Sequence, residues 1–166
     1  MGITHINTSK VVWVDEDENA DQYTAWPFWA PDSKQLFYQV LNRGQDDLQI
    51  LSADPETGKN RLVYQEKNNT WVEFFEDIYI LKNNKGFILR SELDGWRHLY
   101  YYDMTGKLKK QLTSGEWNVS DIKLVDEENE RLYFEATKGE RLETHLFVVD
   151  FDGDDIEQLT NIPGTH

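Results

Sequence analysis

Apolar residues along this chain come in short bursts and not at helical spacing. Leu36-Phe37-Tyr38, Phe87-Ile88-Leu89 and Leu132-Tyr133-Phe134 are three such bursts, and their first residues lie 51 and 45 positions apart. Each follows a turn-rich tract ("APDSKQ", "KNNKG", "DEENER") and precedes a polar loop ("NRGQDD", "SELDGWR", "TKGERLET"). A second apolar run comes next in each unit: "LQILSAD", "HLYYYD" and "HLFVVD". These runs end in Asp54, Asp103 and Asp150, which are 49 and 47 positions apart. No stretch sustains a 3.6-residue apolar period, so helices should be scarce.

A turn with glycine follows each aspartate: "DPETG", "DMTG" and "DFDG". Asp and Gly tolerate the positive φ or side-chain-bonded conformations of tight hairpins. A closing strand ("NRLVYQ", "KLKKQLT", "DIEQLT") and an opening strand ("TAWPFW", "DIYIL", "SDIKLV") complete each unit. Four short strands recurring at this spacing predict an all-β repeat of the propeller type. The strand interiors are apolar at consecutive positions, which suits sheets covered on both faces.

The expected architecture is therefore all-β. It is an incomplete β-propeller with about three four-stranded antiparallel blades in an open arc. Residues 1–19 read as the end of a preceding blade. Blades are expected over 20–67, 68–115 and 116–160, and 161–166 as the start of the next. The opening segment "MGITHINTSK" enters a strand pattern at once and reads as a boundary inside a longer protein. Unpaired sheet edges are expected to favour self-association, which light scattering would detect.

Composition narrows the chemistry. Aromatics make up 13% of the chain, with six Trp, eight Tyr and eight Phe, which favours half-buried pleated surfaces. A net charge of −14 argues against nucleic acid or an anionic membrane as a partner. The absence of cysteine removes disulfides, thiolate metal sites and cysteine nucleophiles. There is no apolar run long enough for a membrane helix and no signal-peptide pattern.

Candidate motifs are few. The chain contains no G-x-S-x-G elbow and no phosphate-cradling glycine motif. Of the four histidines (His5, His98, His145 and His166), His98 and His145 stand 47 apart before the same strand. As repeat equivalents they belong to different blades, and a structural role is expected for both. "DFDGDDIE" resembles a calcium loop, but the required glycine and glutamate positions hold Asp155 and Asn161. The acidic run at 15–18 reads as a solvated loop. No catalytic residue, metal ligand or cofactor is expected within this chain.

Trp71 and Trp117 both follow the closing strand of a unit and are 46 positions apart. Repetition favours packing roles. "TWVEFFED" adds Phe74 and Phe75 beside Glu73 and Glu76, whereas the matching "EWNVSD" lacks the phenylalanines. If exposed, that surplus would be a binding surface.

"DGWRHLYYYDMTGKLKKQLTSGEWNVSDI" resembles the propeller of dipeptidyl peptidase IV-type serine peptidases, of the prolyl oligopeptidase superfamily. "VVWVDEDENADQYTAWPFWAPDSKQLFYQVLNR", "LSADPETGK", "TWVEFFEDIYILKNNKGFILRSELDG" and "IPGTH" extend the resemblance over nearly the whole chain. It implies an N-terminal propeller that caps a separate α/β-hydrolase domain. The implied reaction removes dipeptides from peptide N-termini, with proline or alanine preferred at the second position. The Ser-Asp-His triad would belong to the hydrolase domain. The glutamates that hold the substrate amine would belong to an earlier part of the propeller. The family places an aromatic near the pocket after a Trp-Val pair. That maps to Trp71-Val72, with Phe75 the expected substrate-binding residue, then Phe74, and Trp71 beside them. Glu73 stands where the family has glycine.

The resemblance also implies a periplasmic, secreted or membrane-anchored parent, a peptide substrate, and missing blades and hydrolase domain as partners of this segment. The repeat pattern taken alone leaves a second reading open, that of a non-enzymatic propeller module for protein binding.

Overall fold

A computed structural model describes residues 1–82, 84–139 and 142–165; His166 lies outside them. The chain forms two compact units. The first comprises Met1–Glu76 and Lys82–Asn84, and the second Asp77–Leu81 and Lys85–His166. Every regular element among the described residues is a strand.

In the first unit, β1 (Gly2–His5) and β2 (Lys10–Trp13) form a two-stranded antiparallel sheet. A four-stranded antiparallel sheet follows, made of β3 (Gln22–Trp29), β4 (Leu36–Asn42), β5 (Asp47–Ala53) and β6 (Asn60–Lys67) in chain order. Strand β3 opens into a bulge between Ala25 and Phe28, where Pro27 has no N–H to give the ladder and Trp26 takes a positive φ. Six successive residues of β4, from Leu36 to Leu41, are buried. Burial without alternation means that both faces of the sheet are covered. One face is closed by β1 and the residue just after β2: Ile3 and Val14 pack with Leu36, Tyr38, Val40 and Ala53.

The second unit holds two four-stranded antiparallel sheets. One is built from β7 (Ile78–Ile80), β8 (Phe87–Ser91), β9 (His98–Tyr102) and β10 (Leu108–Gln111). The other is built from β11 (Val119–Asp126), β12 (Arg131–Ala136), β13 (His145–Asp150) and β14 (Ile156–Gln158). They share one core, in which Ile88, Leu99 and Leu112 of the first sheet meet Trp117, Val119, Leu132, Phe134, Phe147 and Val149. The rings of Phe134 and Phe147 are cross-strand partners, stacked 5.7 Å apart, and Trp117 stacks on both.

The Asp-to-Gly turns join the last two strands of each sheet, and the first and third also dock on the sheet before them. Gly58 takes φ 76°, donates its N–H to the Asp54 carbonyl at 2.9 Å, and accepts from the Asp15 N–H just past β2. A Cβ there would stand 2.0 Å from the Trp13 carbonyl oxygen, so only glycine fits. Gly153 repeats the arrangement at φ 73°, against Lys110, Gln111 and Leu112 at the end of β10. The recurring glycine is thus needed for close approach as well as for the turn.

One sheet departs from the expected pattern. β12 alternates in burial, and Tyr133 is only half-buried. Leu112 and Leu159 make the same backbone bond, to the carbonyls of Leu99 and Leu146, each at 2.8 Å. Leu112 is covered by the sheet stacked on it, while Leu159 is exposed.

Candidate functional site

The "TWVEFFED" segment leaves β6 and runs without regular structure to β7. Asn68 shapes its start: its Oδ1 accepts the Thr70 N–H at 3.1 Å and the Thr70 hydroxyl at 3.0 Å. Val72 then anchors it. Its N–H donates to the Gln45 carbonyl at 2.8 Å, and its side chain is buried with Leu41 and Leu48. Phe74 and Phe75 pack against this same cluster while remaining half-buried. Trp71 points the other way and is 55% exposed, with Glu73 and Glu76 also exposed.

Phe75 is the most tightly held of the three predicted site residues. Its N–H donates to Oε1 of Gln39 at 2.8 Å, and its carbonyl accepts from Nε2 of Gln39 at 2.7 Å. Gln39 lies mid-strand in β4 and is 1% exposed. Directly paired strand residues share a sheet face. Gln39 pairs with Ile50 of β5, and Ile50 with Tyr64 of β6. The Phe75 ring meets Tyr64 edge-on at 5.7 Å, and the Tyr64 hydroxyl donates to Oε2 of Glu66 at 2.8 Å. Loss of the Gln39 amide would strand one donor and one acceptor, at about 1–3 kcal/mol for each group left unsatisfied.

Gln39 was not among the residues expected to matter. Its signal was available in "LFYQVLN", where one amide interrupts an apolar strand. A buried polar group needs a partner, but periodicity could not say that the partner lies 36 residues further on. The repeat-equivalent positions show how unusual this partner is. Arg90 in β8 pairs with Asp77 at 2.7 Å, and Glu135 in β12 pairs with Lys123 at 3.1 Å.

His98 and His145 belong to structure. His98 is fully buried; Nε2 donates to the Gly115 carbonyl at 2.8 Å, so Nδ1, 3.0 Å from the Thr113 hydroxyl, is the acceptor. The Thr113 oxygen in turn accepts the Leu99 N–H at 3.0 Å. His145 repeats the contact with Thr160 at 3.3 Å, and its Nε2 lies 3.1 Å from Glu143. Each imidazole is thus engaged by its own sheet. "DFDG" forms a hairpin turn, with the Gly153 N–H donating to the Asp150 carbonyl. Among the described residues, no group of three or more His, Asp or Glu side chains is placed to hold a metal ion.

The displaced pKa values also have structural causes. Burial pushes the Tyr38 phenol up to about 12; its oxygen accepts a hydrogen bond from Asn60 at 2.9 Å. The turn aspartates Asp54 and Asp103 are held below the usual carboxylate range. The backbone N–H groups of Glu56 and Thr57 do this for Asp54, and for Asp103 chiefly the Thr105 hydroxyl.

Three four-stranded antiparallel sheets, accompanied by a two-stranded one, are the blades of an incomplete β-propeller. The family follows from comparison with known proteins. All of residues 1–166 match the family described as the dipeptidyl peptidase IV (DPP IV) N-terminal region, and the chain belongs to that family. It is 30% identical over 142 residues to dipeptidyl peptidase 4 of Trichophyton rubrum, covering 82% of this chain and 18% of the relative. It is 29% identical over 151 residues to dipeptidyl peptidase 4 of Arthroderma otae, covering 88% of this chain and 19% of the relative. The chain therefore spans less than a fifth of the length of these relatives. Among solved structures, dipeptidyl peptidase 4 of Porphyromonas gingivalis matches with a TM-score of 0.90 at 23% identity, over 99% of this chain and 23% of that one. At that identity the match speaks for the fold.

Proposed function

We propose that this propeller region shapes and gates the substrate pocket of a dipeptidyl peptidase whose hydrolytic residues lie outside the chain. The observation that carries the reading is the "TWVEFFED" segment. Its backbone is clamped to a sheet through Gln39, which fixes the half-buried Phe75, while Trp71 of the same segment stands exposed. A rigidly held aromatic is suited to a substrate pocket, because little ordering remains to be done on binding. The substrate would be a peptide with a free N-terminus, cleaved by acyl transfer through a serine of an α/β-hydrolase domain. The chain alone would contribute positioning and no turnover.

The remaining blades and the hydrolase domain are the natural partners of the exposed surfaces. In their absence, self-association through open sheet edges is expected. No helix among the described residues is long and apolar enough to cross a membrane. By family likeness the parent would work outside the cytoplasm.

The test is Phe75→Ala in the full-length protein, assayed with Gly-Pro and Ala-Pro chromogenic dipeptides. KM should rise roughly tenfold with little change in kcat, the signature of lost ground-state and transition-state binding together. Unchanged KM for both substrates removes the pocket role. Hydrolysis by the purified 166-residue chain would place the chemistry here instead.

A further inference from the structure

We propose that Gln39 is the positioning residue of this binding segment and decides where Phe75 stands. The inference rests on the pocket reading above and deepens it. A primary amide offers a donor and an acceptor side by side without charge at any ordinary pH. Gln39 uses both on a single residue, giving Nε2–H to the Phe75 carbonyl and taking the Phe75 N–H on Oε1. It thereby imitates the peptide group of a neighbouring strand at a place where the segment has none. The Tyr64 hydroxyl, fixed on Glu66, then sets the height of the ring through the edge contact.

Two observations separate this from ordinary core packing. Of the repeat equivalents, Glu135 makes an ion pair inside its own sheet, and Arg90 meets a side chain, the Asp77 carboxylate at the far end of the segment. Gln39 instead holds the segment's backbone, at a residue that belongs to no sheet. Its contacts, moreover, are to main-chain atoms, so they define where the segment runs whatever side chain stands there.

The experiment compares Gln39→Leu, Gln39→Glu and Phe75→Ala in the full-length protein, with the dipeptide substrates above and across pH. Gln39→Leu keeps the volume and loses both bonds; KM should rise roughly tenfold with kcat within about twofold. Gln39→Glu should behave like Gln39→Leu at high pH, where a carboxylate cannot donate to the carbonyl. As pH falls and the buried carboxyl gains its proton, the acid becomes a mimic of the amide, and the ratio of its KM to that of the unaltered protein should return towards one. A purely structural role would not produce that recovery.

A pH-independent ratio, or an unchanged KM in Gln39→Leu alongside a raised KM in Phe75→Ala, overturns the positioning role and leaves the pocket reading standing. An unchanged KM in Phe75→Ala overturns both. If the Gln39 variants fail to fold, amide exchange in the unaltered protein decides. The Phe75 N–H should exchange at least about a hundredfold slower than in an unstructured peptide, and exchange at the unstructured rate overturns the clamp.

Discussion

Trp71 and Trp117 occupy the same joint of the repeat and have opposite fates. Each precedes a buried valine whose N–H bonds a carbonyl in the loop before the third strand of a sheet: Val72 to Gln45 at 2.8 Å, Val119 to Arg97 at 2.7 Å. Trp71 is 55% exposed, and Trp117 is 8% exposed inside the core of the second unit. The difference is one residue of offset. Trp71 immediately precedes its valine, while Asn118 separates Trp117 from Val119. The chain bends at Glu116 and Trp117 and not at Trp71, so the extra residue lets Trp117 fold back into the core while Trp71 stays in solvent. Trp117 then meets His98 edge-on at 4.8 Å, and Lys138 lies over its ring. One residue of offset thus separates a packed tryptophan from a released one at otherwise similar joints.

Truncating the two tryptophans should give the largest difference. Trp117→Ala removes a ring stacked on Phe134 and Phe147 and should destabilise by about 3–5 kcal/mol. Trp71→Ala should stay within about 0.5 kcal/mol. Urea unfolding followed by circular dichroism checks both. Equal losses would show that the offset argument misplaces one of the two side chains.

Next in size are the glycines. Gly58 and Gly95 both take positive φ, 76° and 90°, but a Cβ at Gly58 meets the Trp13 carbonyl, whereas one at Gly95 meets nothing within 4 Å. Gly95→Ala should therefore cost only the backbone strain, about 1–2 kcal/mol. Gly58→Ala adds the collision and should cost about 3 kcal/mol or more. Thermal melts of the two variants separate the turn requirement from the docking requirement.

The smallest effect is acid sensitivity. Asp54 and Asp103 have folded pKa values below their unfolded ones, because N–H and hydroxyl donors favour the charged form. Their contribution is complete above the ordinary aspartate value of 3.8 and fades as pH falls through the lowered folded values. Asp54→Ala should lower stability slightly at neutral pH and flatten the decline below pH ~4, measured by urea midpoints across pH. A decline of unaltered steepness would assign acid sensitivity to other groups.

Much of this molecule was legible beforehand because its signals are local. Runs such as "LFYQVLN" and "HLFVVD" are short, apolar and bounded by turn residues, which marks them as strands, and each Asp-to-Gly turn joins the strands around it. The candidate site was legible only in part. Phe74 and Phe75 stood out as a surplus over the repeat, but nothing in their neighbourhood pointed to Gln39, whose bonds to Phe75 span 36 residues. The two tryptophans are alike in their spacing between repeats and differ only in their offset from the valine that follows.

By itself the sequence determined the strand order, the repeat and the hairpin turns, since these depend on side-chain alternation and φ preferences within a few residues. Only the tertiary structure decided which equivalents would differ: Trp71 from Trp117, Leu159 from Leu112, and Gln39 from Arg90 and Glu135. Burial and hydrogen-bond partners are supplied by whatever the fold brings alongside, and identical local chemistry has a different fate when that neighbour is a sheet, a loop or water.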